Sequence, residues 1–220
     1  MGSHTIRVWD LPVRLCHWGT ALAIPALWWT AENGEMGWHM RIGLFLLFIL
    51  TFRVLWGLIG TRTARFAQFV RGPRTVWRYL TGSAPHDRVG HNPLGALSVI
   101  VLLGILIAQV TLGLFAGDSF DGATGPLNEH VGVMTADWMT DWHKTLFDVI
   151  VVVSGLHIAA IAFYWLARRN NLVTPMITGN RAASGLRGAG NDSVSFWRLT
   201  ASCVIAASLV IWLEAGAPTI

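Results

Sequence analysis

Cysteine is almost missing from this chain: 2 in 220 residues, Cys16 and Cys203. Two distant cysteines exclude a disulfide framework, and the lack of a Cys-x-x-Cys-His motif excludes the usual covalent attachment of a c-type haem. Charge is the second scarcity. Asp, Glu, Lys and Arg make up 13% of the residues, against about 25% in a soluble domain. What replaces them is apolar: 53% of the chain is hydrophobic, with 12 Trp. Long apolar segments at low charge read as an integral membrane protein. The first of them lacks a small-residue cleavage site and leads straight into a second, so it reads as a span and not as a signal peptide. The net charge of +4 does not point to nucleic acid, because the basic residues collect in particular connections.

Five apolar segments are long enough to cross a bilayer. They cover roughly residues 12–30, 38–60, 91–116, 142–165 and 196–214. Pro25 is expected to kink the first. The arginine-rich connection after the second mixes Trp77 and Tyr79 with cations, and residues 66–80 read as a short interfacial helix. A Gly/Ser/Asn-rich stretch separates the fourth and fifth spans. The expected architecture is an all-α membrane protein. Residues 1–178 form a four-helix bundle domain, residues 179–195 a flexible linker, and residues 196–220 an additional C-terminal transmembrane helix.

Orientation follows from the cations. The N-terminus, the second connection and the fourth connection hold thirteen of the 16 Lys and Arg. The first and third connections hold none, and residues 117–141 carry Asp118, Asp121, Glu129, Asp137 and Asp141. The positive-inside rule then places the N-terminus in the cytoplasm and the C-terminus outside.

Histidines carry the chemistry. His143 and His157 lie fourteen residues apart on the fourth span. At 100° per residue they leave nearly the same face, about 21 Å apart along the axis. Intramembrane ionisable residues are candidate functional sites. His39 lies at the outer end of the second span and matches His143 in depth. His17 lies near the inner end of the first span and matches His157. A single such histidine has an ordinary reading as a hydrogen-bonded packing residue. Four in two depth-matched pairs, each pair drawn from two helices, are what bis-histidine haem ligation in a bundle core needs. A zinc or iron cluster is a weaker rival, because no Cys or acid stands beside them to complete a ligand set. His4, His86 and His130 read as solvated. His91, at the start of the third span, stays open: an alternative ligand to His17, a propionate or quinone contact, or a residue without redox role.

Three cations lie within or at the ends of spans. Arg41 and Lys144 each stand within two residues of an outer histidine, and Arg53 is fourteen residues after His39. Haem propionates are anionic and would accept charge-assisted hydrogen bonds from them. Snorkelling to the headgroups is the alternative, more so for Arg41 and Lys144 than for Arg53. Gly43, Gly104, Gly113 and Gly155 would let helices or a porphyrin approach closely.

The run Val8-Trp9-Asp10-Leu11-Pro12-Val13-Arg14-Leu15-Cys16-His17-Trp18 resembles the entry to the first helix of the bacterial cytochrome b561 family, which includes the b-type cytochrome subunits of Ni/Fe-hydrogenases. His39 with Gly43, Arg53 and Trp56-Gly57 resembles the second helix. Gly90-His91-Asn92-Pro93-Leu94-Gly95 resembles the third, and Trp142-His143-Lys144 with Gly155-Leu156-His157 the fourth. The likeness covers roughly residues 6–178 and leaves the last span outside it. It implies a di-haem b cytochrome passing electrons between a periplasmic redox partner and the quinone pool. His17 and His157 would ligate the inner haem, and His39 and His143 the outer one.

The function expected is therefore transmembrane electron transfer through two non-covalent haem b groups. Ubiquinone or menaquinone is the expected quinone, and a cytochrome c a candidate donor at the acidic outer connection. Quinone oxidoreductase activity is an open question at this point. One alternative is a superoxide oxidase that reduces quinone, with Arg41 and Lys144 steering the anion. Another is a non-redox transport or anchor module using its histidines as relays.

Overall fold

The apolar runs fold as long helices. The computed structural model describes residues 5–83, 89–117, 123–182 and 192–215. In chain order these form strand β1 (Thr5–Arg7) and helices α1 (Leu11–Glu32), α2 (Met36–Ile59), α3 (Phe66–Phe69), α4 (Pro73–Leu80) and α5 (Pro93–Phe115). A 3-10 turn at Asn128–His130, α6 (Val133–Leu166), α7 (Val173–Thr178), strand β2 (Asn180–Ala182) and α8 (Phe196–Glu214) follow. The readings made for His4, His86, Asp118 and Asp121, and for residues 183–191 of the linker, fall outside the described residues.

Four helices, α2, α5, α6 and α8, are long and apolar enough to cross a membrane. The most apolar windows of α5 and α6 are only 11% and 6% buried. Their side chains face outward, which suits hydrocarbon and would be costly in water. Helix α1 is not among the four, because Arg14, His17 and two prolines dilute its apolar run.

Three expectations are revised. The interfacial helix over residues 66–80 is two helices, α3 and α4. Pro73 occupies the first turn of α4, Gly72 caps it in an extended conformation, and a residue before proline disfavours the helical region. Helix α6 begins at Val133, so Asp137 and Asp141 stand on its first turns instead of in a loop. Its 34 residues extend about 51 Å, well beyond a hydrocarbon core of about 30 Å. Finally, the chain start and the first linker residues are paired: Thr5, Ile6 and Arg7 lie antiparallel to Ala182, Arg181 and Asn180.

The chain divides into two compact units. The first comprises Met1–Leu15, Arg53–Leu102 and Ser154–Thr200. At its centre Asp10, 1% exposed, caps α1 by accepting the Val13 N–H at 2.7 Å. The same carboxylate accepts the Trp56 indole N–H at 2.8 Å and the Thr61 hydroxyl. The Val8 and Trp9 amides donate to the Gly179 carbonyl. Gly179 ends α7 at φ +85°, and a Cβ there would stand 2.7 Å from the Trp9 carbonyl. Both its turn and its neighbour therefore require glycine. The Tyr79 and Tyr164 hydroxyls, 2.8 Å apart, tie α4 to α6.

The second unit comprises Cys16–Phe52, Leu103–Val153 and Ala201–Ile220. Its core joins α1, α2, α5 and α6 through Ala23, Leu46, Leu50, Leu106, Val110 and Ile150. Gly117, just after α5, donates its N–H to the Thr140 hydroxyl at 3.0 Å, and that hydroxyl lies 3.1 Å from the Gly117 carbonyl. This fixes the approach of α6 to the end of α5.

Candidate functional site

Within the second unit the structure brings His39 and His143 together. Their ring centroids are 6.1 Å apart and the rings are inclined by 76°. His39 comes from the first turns of α2, and its Nδ1 lies 3.0 Å from the Leu27 carbonyl of α1. His143 comes from α6, and its Nδ1 lies 2.9 Å from the Gln109 carbonyl of α5. A carbonyl only accepts, so each Nδ1 must carry the proton. Each imidazole is thus fixed in the tautomer whose Nε2 has a free lone pair. A metal-bound histidine commonly holds its other nitrogen in this way.

Around His143 the packing is specific. The Gln109 amide donates back to the His143 carbonyl at 3.0 Å. Gly113, one turn further along α5, faces the ring: a Cβ there would stand 2.9 Å from His143 Cε1 and 3.2 Å from Nδ1. Only glycine lets the imidazole lie so close to α5. Gly43, one turn after His39, has open space where a Cβ would be, as do Gly104 and Gly155.

The arrangement fits a haem. Metal–imidazole bonds of about 2 Å match one metal between two rings at this separation. Two imidazoles alone under-ligate a bare ion, and among the described residues no group of three or more His, Cys, Asp or Glu could hold one. A porphyrin brings its own four nitrogens and asks the protein for only two.

The other sites are less closely paired. His157 lies in the first unit, with Nδ1 3.0 Å from the Ser98 hydroxyl of α5. A hydroxyl both donates and accepts, so this bond leaves the tautomer open. His17 is a half-buried residue of the second unit, edge-on to Trp18 at 5.0 Å. His91 sits between Trp9 at 4.4 Å and Phe69 at 4.5 Å. Asn92 holds it there by capping α5 through the Gly95 N–H.

The three cations part company. Arg53 is buried; it donates to the Ala64 carbonyl at 3.4 Å and lies 5.0 Å from the centre of the Phe66 ring. Lys144 is exposed beside His143. Arg41 stacks on Trp38 at 5.3 Å and lines a groove with α8. Two residues on a helix are 200° apart, so Arg41 leaves α2 on nearly the opposite side from His39.

Ser98, Gln109 and Asp10 are the residues that sequence reasoning missed. Gln109 had a signal, since a lone amide within an apolar helix needs a partner. Ser98 and the two carbonyls had none, because they are recognisable only by what they face.

A family model described as prokaryotic cytochrome b561 matches residues 8–179. A probable Ni/Fe-hydrogenase B-type cytochrome subunit of Bradyrhizobium diazoefficiens is 24% identical, covering 82% of this chain and 87% of its own length. Proteins of the same description from Azotobacter chroococcum and Rhodobacter capsulatus are 28% and 27% identical. Each covers 80% of this chain, and 88% and 81% of its own length respectively. No solved structure matches the chain.

Proposed function

Because the chain belongs to the prokaryotic cytochrome b561 family, we propose that it is a two-haem electron carrier joining a periplasmic redox partner to the quinone pool of a bacterial inner membrane. The family makes it a membrane-bound b-type cytochrome with haem b as cofactor. Haem b, when bound, supplies one-electron redox chemistry. Everything else is the work of this chain.

His39 and His143 would hold the haem of the outer site. Their Nδ1–H bonds to Leu27 and Gln109 orient the rings and leave Nε2 as the nitrogen that would ligate. Held by two imidazoles, haem b would supply electron transfer there and not oxygen binding. His17 and His157 serve the inner site, supported by their matching depth on the sequence and by Ser98 beside His157. Lys144 and Arg53 are the cations assigned to propionates. The first helix completes the membrane domain, so that with α8 the chain crosses five times, N-terminus inside.

The relatives are named as hydrogenase subunits. That favours a hydrogenase as the donor, with a soluble cytochrome c as the alternative. The superoxide reading would rest on Lys144, exposed beside His143, because Arg41 stacks on Trp38.

The observation that carries this proposal is the His39–His143 pair with both Nδ1 atoms held by main-chain carbonyls. A pyridine haemochrome assay on the purified chain, with a reduced-minus-oxidised spectrum, tests it. Two haem b per chain are expected. One would remove the inner site, and none would overturn the assignment. Reconstitution with hydrogenase and hydrogen, or with reduced cytochrome c, in the presence of ubiquinone or menaquinone then identifies donor and acceptor.

A further inference from the structure

Helices α2 and α8 enclose a groove of about 290 Å³ in the second unit. Its walls are Arg41, Leu44, Phe45 and Phe48 from α2, and Ala207, Val210, Ile211 and Glu214 from α8. Each set has the spacing i, i+3, i+4, i+7, which is one face of a helix. The helices contribute them in opposite order: the charged residue comes first on α2 and last on α8. Seven residues separate the ends of each set, so the groove runs about 10 Å along the helix axes. One cation and one anion mark its head, and six apolar side chains line the rest.

From this we infer that the groove is a site for a zwitterionic phospholipid with a primary ammonium headgroup. Arg41 offers a guanidinium to the lipid phosphate, a pairing for which arginine is well suited. Its stacking on Trp38 steadies it at the membrane interface, where Trp is favoured. Glu214, exposed at the end of α8, accepts from the ammonium. The apolar walls take the upper part of an acyl chain. An anionic lipid would satisfy Arg41 and be repelled by Glu214. A trimethylammonium headgroup has no N–H to donate to Glu214. Both charges are matched only by a phosphate and a primary ammonium on one molecule. The site also gives α8, which lies outside the family match over residues 8–179, a definite task.

The test uses the full chain in mild detergent, with phosphatidylethanolamine, phosphatidylglycerol and phosphatidylcholine added in equal amounts and retained lipid counted by native mass spectrometry. Phosphatidylethanolamine should be retained about fivefold over each of the others, the ratio expected of one exposed ion pair. Glu214→Gln should shift the preference to phosphatidylglycerol, and Arg41→Gln should lower retention of both phosphate-bearing competitors and phosphatidylethanolamine alike. Ala207→Phe, which fills the groove and leaves both charges in place, should displace the lipid. Equal retention of the three lipids by the unmodified chain overturns the inference, whatever the variants do. So does an unchanged preference in a Glu214→Gln protein whose helical circular dichroism is intact. Neither readout depends on haem content.

Discussion

Gln109 and His143 hold each other twice. The His143 ring donates from Nδ1 to the Gln109 carbonyl at 2.9 Å, and the Gln109 amide donates to the His143 carbonyl at 3.0 Å. The pair ties α5 to α6. It also sets which imidazole nitrogen carries the proton, a choice that the histidine could not make alone.

The side-chain half of this clamp can be removed without touching the other. Gln109→Ala keeps the main-chain carbonyl and so keeps the proton on Nδ1. The expected loss is about tenfold in retention of the outer haem, at the low end for a residue that supports a metal ligand. Haem release to apomyoglobin measures it. An unchanged release rate would show that the amide only packs.

Gly113→Ala should do more. The added Cβ would lie 2.9 Å from His143 Cε1, so the ring must move and its bond to Gln109 must stretch. The haem stoichiometry should fall from two to one per chain, with total helix content unchanged. Two haems retained in this variant would mean that the ring position is not critical.

His143→Ala and His157→Ala should each remove one haem and leave the other. His91→Phe should remove none, because Trp9 and Phe69 flank that ring and a phenyl group fills the same space. Loss of a haem from the His91 variant would make it a ligand in place of His17. The difference spectra of the three variants, recorded side by side, decide this.

Asp10 should matter for stability and not for redox chemistry. Replacing it by Ala leaves the Val13 amide, the Trp56 indole and the Thr61 hydroxyl without their shared acceptor. Unsatisfied buried donors cost about 1–3 kcal/mol each. With partial relaxation, a loss of about 3 kcal/mol is expected. The apparent Tm of the detergent-solubilised chain should drop by roughly 10 °C. Asp10→Asn keeps one carbonyl oxygen and should recover part of the loss. Equal melting of the Ala variant and the unmodified chain would remove Asp10 from its central place in the first unit.

Much of the fold could be read from the chain itself. A helix that faces lipid needs an unbroken apolar run, and such runs are visible without neighbours. Residues 38–60, 91–116 and 196–214 correspond closely to Met36–Ile59, Pro93–Phe115 and Phe196–Glu214. Helix α6 begins nine residues before its apolar run, because apolarity marks where a helix meets lipid, not where it begins. The break at Pro73 is legible in the sequence, since a proline disfavours helix at the residue before it. The β1–β2 pairing was not legible, since it joins residues about 175 positions apart through main-chain bonds that carry no sequence signature.

The histidines divide in the same way. Sequence determined that the chain carries His39, His143 and His157 on long apolar helices, because an unbroken apolar run is a property of the sequence alone. Tertiary structure decided which nitrogen His39 and His143 present, through the carbonyls of Leu27 and Gln109. It also set Arg41 in a groove with α8. The physical reason is common to both: hydrogen-bond direction and the facing of a side chain depend on which distant elements pack together, and no local pattern of residues encodes that.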